Sequence, residues 1–414
     1  MGTRALKKPV SNQKQSDEFV KGRSSDPKMS RRRFAFGLAA GTAAASLPHA
    51  SKAQKAEART NDKGILKPAP PELFIHSGSN LEMRWEAMYG LGYLVPNELF
   101  FVRNNSAVVP CPDLATWRLQ VDGTGVLRPI SLSYDEILSM PSTSVICAIE
   151  CAGNGRNYFE QSHGKKIPGT PWFLGGIGVA EWTGVPLREI LERAGLKRSA
   201  KDVMPVGLDE KQVKRPMPIK KALEEDTLLV YAMNGAPLSP DHGFPARILV
   251  PGWVGIANIK WVGQIEVSET PLYSEYNTKK YVMIGPDYPS KPPALGPPLT
   301  TQKVKSAFEL PLDGEIPAGR HLLRGRSWSG EGSIAKVEVS IDGGKTWQNA
   351  RLREPNIPLA WSRWDLEWNA RPGKYRLQAR AADSKGNMQP DRIPFNGEGY
   401  MHWAVVTHSI TVRE

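Results

Sequence analysis

The sequence predicts an α+β domain over residues 73–285, followed by an all-β, immunoglobulin-like sandwich over residues 300–414. Three observations carry this expectation. Before residue 286, strand-like runs and short helix-period patches mix without regular βαβ alternation. Six prolines then crowd residues 286–299 (Pro286, Pro289, Pro292, Pro293, Pro297 and Pro298), which reads as a stiff linker. Beyond them, apolar and polar residues alternate with period two in several short segments.

Taken in chain order, the first 53 residues read as an address. They hold eleven Lys or Arg and three acids, so +8 of the chain's +12 net charge sits there. Ser30-Arg31-Arg32-Arg33-Phe34 precedes a short, weakly apolar stretch, and Ser51 and Ala53 offer small residues for cleavage before Gln54. An arginine pair with a soft apolar region fits a twin-arginine signal, which exports folded, cofactor-loaded proteins to the periplasm. The remaining +4 shows no basic run, so a nucleic-acid partner is not expected. Residues 54–72 read as an extended lead-in.

In the α+β part, strands are expected at Phe100–Val102, Trp117–Val121, Arg247–Val250 and Ile259–Val262. Helical patches are expected at Leu132–Met140, Pro186–Ala194 and Lys220–Glu225. Gly175-Gly176-Ile177-Gly178 reads as a loop. In the sandwich, Val337, Val339 and Ile341 alternate into an Asp342-Gly343-Gly344 turn. Tyr375, Leu377, Ala379 and Ala381 alternate again. Trp361, Trp364 and Trp368 either fill the sandwich core or form an apolar face for a homodimer. Three cysteines supply no disulfide framework, and no uninterrupted run of 18 apolar residues suggests a polytopic membrane protein.

Three runs carry the chemistry. Cys147-Ala148-Ile149-Glu150-Cys151-Ala152-Gly153-Asn154-Gly155-Arg156 places a thiol at a strand end, with a cation five residues on. Phe100-Phe101-Val102-Arg103-Asn104-Asn105 and Asp241-His242-Gly243-Phe244-Pro245-Ala246-Arg247-Ile248 each set basic or amide donors beside a strand. Together these donors suit a polyanion. Read alone, the residues also allow a cysteine hydrolase, with Cys151 as nucleophile and His242 or His163 as base. They also allow a non-catalytic binding or assembly protein.

The three runs, with Ile259-Lys260-Trp261, resemble the molybdenum-cofactor domain of the sulfite oxidase family. Trp328-Ser329-Gly330 and the run Val337–Trp347 look like that family's C-terminal immunoglobulin-like dimerisation domain. The resemblance covers roughly residues 73–414. It implies a molybdopterin-binding α+β domain of sulfite oxidase type, with Cys151 as the thiolate ligand of molybdenum. Arg103, His242, Arg247 and Lys260 match positions that hold the pterin and its phosphate. Asn105 stands where the animal enzymes have a cofactor-contacting His. Arg156 matches a substrate-pocket arginine, Tyr281 the active-site tyrosine, and Trp172 a pocket tryptophan. Gly155 replaces the first arginine of a pair, and a C-terminal pocket arginine lacks a counterpart, with His408 as its stand-in. The implied activity is oxidation of sulfite, or of sulfane sulfur on a carrier protein, by oxygen transfer at molybdenum. A sulfoxide reductase on the same fold is the alternative. With no Cys-x-x-Cys-His in the chain, no haem is expected in it. Electrons are expected to pass to a separate c-type cytochrome, from a homodimer or from a heterotetramer with that cytochrome.

Overall fold

The computed structural model describes residues 64–414; the export-signal reading and the start of the lead-in lie outside the described residues. Two sheets build the first half. One runs Ala236–Pro237, Leu228–Met233, Ile177–Pro186, Thr143–Glu150, all antiparallel, with Arg247–Leu249 also paired to Leu228–Met233. The other orders Ile130–Ser133, Arg118–Asp122, Val262–Ser268, Asp202–Gly207 and Met217–Pro218. In it, only Arg118–Asp122 and Val262–Ser268 run parallel to one another.

The helices are short because the apolar period lasts barely two turns. In Leu187–Arg193, Leu187, Ile190 and Leu191 are fully buried. Tyr134–Leu138 starts at a capping box in which Ser133 and Glu136 exchange hydrogen bonds. Two expected strands do not form as such. Phe100–Val102 has a single bridge, Val102 to Leu81. The strand after Lys260 begins only at Val262, because Trp261 has a left-handed backbone with φ 53°.

The second half is a sandwich of a four-stranded and a five-stranded sheet. Its longest pairing joins Gly319–Trp328 to Trp361–Ala370 over ten residues. Inward residues of both sheets, among them Val337, Val339, Leu377, Ala379 and Trp364, share one core. Trp361, Trp364 and Trp368 are 0%, 1% and 7% exposed, so they do not present an apolar face. Trp364 packs edge-on against Phe308 and Trp368 against Tyr375, inside the sandwich. Trp361 instead joins Trp85 and Trp328 in a second core shared with the first half.

That shared core changes the meaning of the proline-rich stretch, which is not a free spacer. Met283 donates to the Pro297 carbonyl at 2.9 Å, Leu295 to Thr278 at 2.8 Å, and Leu299 to Tyr281 at 2.9 Å. The segment therefore runs back along the first half, and all described residues belong to one compact unit. Among the described residues no helix is long and apolar enough to cross a membrane.

Candidate active site

The strand Thr143–Glu150 ends one residue before Cys151, as expected. The loop that follows is fixed from three sides. Cys151 N–H donates to the Gly176 carbonyl at 2.8 Å, and Asn154 N–H to the Cys151 carbonyl at 2.9 Å. The Asn154 amide accepts from Gly176 N–H and donates to Glu150, each at 3.0 Å. Glu150 is buried and accepts from Lys305 Nζ at 2.6 Å.

The Gly175–Gly178 run is more than a loop. A Cβ on Gly175 would fall 1.6 Å from the Met83 carbonyl oxygen, and one on Gly178 would fall 2.4 Å from the Phe100 ring. Only glycine lets those segments approach. Gly175 N–H donates to Glu82 at 2.8 Å, and burial raises that carboxyl's pKa to about 7.

Cys151 is 5% exposed and opens on a cavity. Arg103, Asn105, His242, Arg247, Lys260 and Tyr281 share that lining, so residues spread over 178 positions converge. Arg103 Nη2 donates to Asn105 Oδ1 at 2.8 Å and to the Tyr281 hydroxyl at 3.0 Å. Arg247 donates to the His242 and Asn258 carbonyls at 2.9 and 3.2 Å and lies over the Trp182 ring. Lys260 Nζ donates to the Asp241 carbonyl at 2.8 Å and to Asn104 Oδ1.

Arg247 is buried, and Arg103 and Lys260 are half-buried. None of Arg103, Arg247 and Lys260 has a carboxylate ion pair among the described residues. Both acids in the wall are already engaged. Asp241 accepts from Leu66 and Lys67 N–H, and Asp209 from Ser106 Oγ and Val213 N–H. Burial draws the Arg247 pKa down to about 10 and that of Lys260 well below its usual value. Arg247 Nε is buried with no partner. Unpaired buried cations each cost several kcal/mol, on the order of what a bound polyanion would offset. The donor set therefore fits the phosphate and pterin of a molybdopterin.

The thiol fits a metal in the same way. Burial raises the Cys151 pKa, while Arg103, the Gly153 N–H and Arg156 oppose that shift. A coordinating metal cation removes such a proton outright. Cys147, by contrast, is fully buried in the core, where desolvation raises its pKa, and Cys111 is exposed.

Arg156 and Trp172 stand outside the lining. Arg156 lies just beside it, donating to the Thr170 and Glu398 carbonyls at 2.8 and 3.2 Å. Trp172 is 1% exposed and sits behind Phe101 at 6.2 Å. Its ring thus packs against the wall that Phe101 lines. The expectation for His408 is corrected. It sits on the strand Thr407–Arg413, with Nδ1 3.0 Å from the Pro311 carbonyl and its ring against Phe308. It lines no part of the cavity and does not replace an arginine there.

The hydrolase reading fails on its bases. His163 is stacked on Phe159, away from the cavity lining. His242 Nε2 is held by the Asn97 carbonyl at 3.2 Å. Burial, then Lys67, Lys260 and Arg247, hold the His242 pKa well below its usual value, which disfavours uptake of a proton there.

Two contributors left no local sequence signal. Lys67, from the lead-in, donates to the Glu98 carbonyl at 3.0 Å and to the Phe100 carbonyl, and burial lowers its pKa to about 7. Tyr400 stacks on Tyr281 at 5.1 Å from a segment 119 residues further along the chain.

Lys260→Met is expected to cut bound pterin at least about ten-fold, since it removes one charge-assisted donor to the anion. Pterin released by denaturation and measured by its fluorescence checks this. Undiminished pterin in that variant would mean the cage does not hold the cofactor.

Comparison with known proteins agrees with this geometry. Residues 106–276 match the profile of the oxidoreductase molybdopterin binding domain, and residues 302–413 that of the Mo-co oxidoreductase dimerisation domain. The chain is 36% identical to mitochondrial sulfite oxidase of Mus musculus over 320 residues, 73% of this chain and 58% of that protein. It thus spans little more than half the length of that relative. To sulfite oxidase of Gallus gallus it is likewise 36% identical, over 73% of this chain and 69% of that one. The solved structure of the sulfane dehydrogenase SoxCD from Paracoccus pantotrophus superposes with a TM-score of 0.72 at 27% identity, covering 81% of this chain and 87% of that one. A buried thiol at a strand end, a cage of unpaired cations and a sandwich packed behind them are thus parts of one inherited design, and the chain belongs to the sulfite oxidase family of molybdopterin-binding oxidoreductases.

Proposed function

We propose that the protein oxidises a reduced sulfur compound and passes the electrons to a separate c-type cytochrome in the periplasm. The observation that carries this reading is the convergence of Cys151 with Arg103, Arg247 and Lys260 on one cavity. When bound, the molybdenum–pterin group would supply the two-electron redox chemistry.

The chain's own residues would bind and orient. His242, Arg247 and Lys260 would hold pterin and phosphate, and Cys151 the metal. Arg103 fixes the Tyr281 hydroxyl at 3.0 Å, so that hydroxyl keeps a set direction toward the cavity. Arg156 is tied by two carbonyls and cannot swing, which presets a cation for an oxyanion. For sulfite the balance is sulfite plus water to sulfate, two protons and two electrons.

Sulfane sulfur on a carrier protein is the second reading. It is favoured because the C-terminal segment brings an uncharged ring, that of Tyr400, to the Arg156 guanidinium. The arginine pair Arg31-Arg32 supports export, and the match to a dimerisation domain supports a homodimer.

The test is reduction of ferricyanide by molybdenum-loaded protein. Sulfite-dependent turnover supports the first donor; turnover only with a sulfane-loaded carrier supports the second. No turnover with either overturns the proposal.

A further inference from the structure

Residues 396–401 lie between the sandwich strands Gly373–Asp383 and Thr407–Arg413, yet they are laid against the first half. Gly397 N–H donates to the Ile284 carbonyl at 2.8 Å, and Ile284 N–H to Asn396 Oδ1 at 3.3 Å. Met401 N–H donates at 2.7 Å to the carbonyl of Ala152, the residue after Cys151. The segment's Glu398 carbonyl accepts from Arg156 Nε.

These bonds deliver one side chain to the edge of the cavity. The Tyr400 ring is 8% exposed and stacks nearly parallel on Tyr281, with centroids 5.1 Å apart and planes at 15°. The Arg156 guanidinium carbon lies 5.2 Å from the Tyr400 centroid. Tyr281 in turn takes its hydroxyl hydrogen bond from Arg103. Arg103, Tyr281, Tyr400 and Arg156 thus form one connected row from four distant parts of the chain.

The backbone at this row is strained. Tyr281 has φ 53° and Met401, next to Tyr400, has φ 54°. Left-handed non-glycine residues persist only where their surroundings over-determine them, and they collect at functional sites. Here the stack and the Ala152 and Ile284 hydrogen bonds hold both.

We propose that Tyr400 is a positioning residue that fixes Arg156 and Tyr281 relative to each other, so that a segment of the sandwich completes the oxyanion site of the first half. The inference rests on the sulfur-oxidation reading and deepens it. Tyr400 acts through its ring, by stacking and by its contact with the arginine; its hydroxyl, which the Tyr281 backbone N–H meets, is needed for neither contact.

The test compares Tyr400→Phe with Tyr400→Met and Tyr400→Leu in the holoenzyme. Sulfate affinity is read by calorimetry, and KM and kcat for sulfite by ferricyanide reduction. Tyr400→Phe should stay within about three-fold of wild type in all three. The ring-free variants should lose about ten-fold in sulfate affinity and gain about ten-fold in KM, with kcat within about three-fold, as the loss of a stack and a cation–π contact implies. Ring-free variants with sulfate affinity within about two-fold of wild type would overturn the proposal, as would ring-free variants that do not fold, since Tyr400 would then be structural. If the wild type binds sulfate but does not oxidise sulfite, the proposed donor fails while the affinity comparison still decides the role of Tyr400.

Discussion

Cys151→Ser is expected to lose more than about a hundred-fold in sulfur-oxidising turnover, while the protein stays folded and keeps its pterin. Replacing a residue that merely supports a metal ligand typically costs roughly 10–100-fold, so replacing the ligand itself costs more. Pterin should remain because the residues proposed to hold it, His242, Arg247, Lys260 and Arg103, are positioned by bonds that do not involve the thiol. The loop is also held independently of Sγ, through the Gly176 and Asn154 backbone bonds. Cys147→Ser is the control. Cys147 is fully buried, so a hydroxyl there should cost roughly 1–3 kcal/mol of stability and leave turnover intact. Steady-state kinetics with pterin and molybdenum analysis on both variants separates the two cysteines. Equal losses in both, with equal metal, would point to packing and away from ligation.

The second large effect concerns stability. Lys305→Met is expected to destabilise the protein by about 3–5 kcal/mol, read from the shift of its denaturant unfolding curve. Lys305 opens the sandwich strand Lys305–Phe308, and its Nζ lies 2.6 Å from Glu150 and 3.2 Å from the Asn154 carbonyl. The two side chains are 7% and 1% exposed. Removing the ammonium leaves a carboxylate buried beside the Cys151 loop with only the Asn154 amide to answer it. Adding Glu150→Gln to Lys305→Met removes that charge, keeps the Asn154 acceptor and should recover most of the loss. A single variant as stable as wild type would show that the pair does not tie the sandwich to the loop.

How much was legible follows from how local each signal is. Cys151 at its strand end was readable because small and turn-forming residues follow it directly. Arg103, His242, Arg247 and Lys260 could be nominated because the runs that hold them resemble those of a known family. What they share, a cavity without counter-anions, became visible only when Asp241 and Asp209 proved to be occupied by backbone and hydroxyl donors. Lys305–Glu150 and Tyr400–Tyr281 join residues 155 and 119 positions apart, and no periodicity encodes such pairs.

The misreadings have equally physical causes. Period-two alternation places Trp364 and Trp368 on one face of a strand and Trp361 on the other, but does not say what covers either face. The cover is the opposite sheet for Trp364 and the first half for Trp361. An aromatic and β-branched run at Phe100–Val102 resembles a strand, yet its backbone finds one bridging partner only. The proline-rich stretch looks like a spacer by composition, but it accepts a hydrogen bond from Met283 and donates others to the Thr278 and Tyr281 carbonyls. His408 was chosen for its charge, whereas burial lowers its pKa to about 4 and leaves it neutral inside the sandwich.

The account centres on Cys151 as the protein's own sulfur ligand to molybdenum. Molybdenum-edge X-ray absorption on the wild type and on Cys151→Ser, both carrying metal, tests this most directly. The account predicts one fewer sulfur neighbour at molybdenum in the variant. An unchanged number of sulfur neighbours would contradict it.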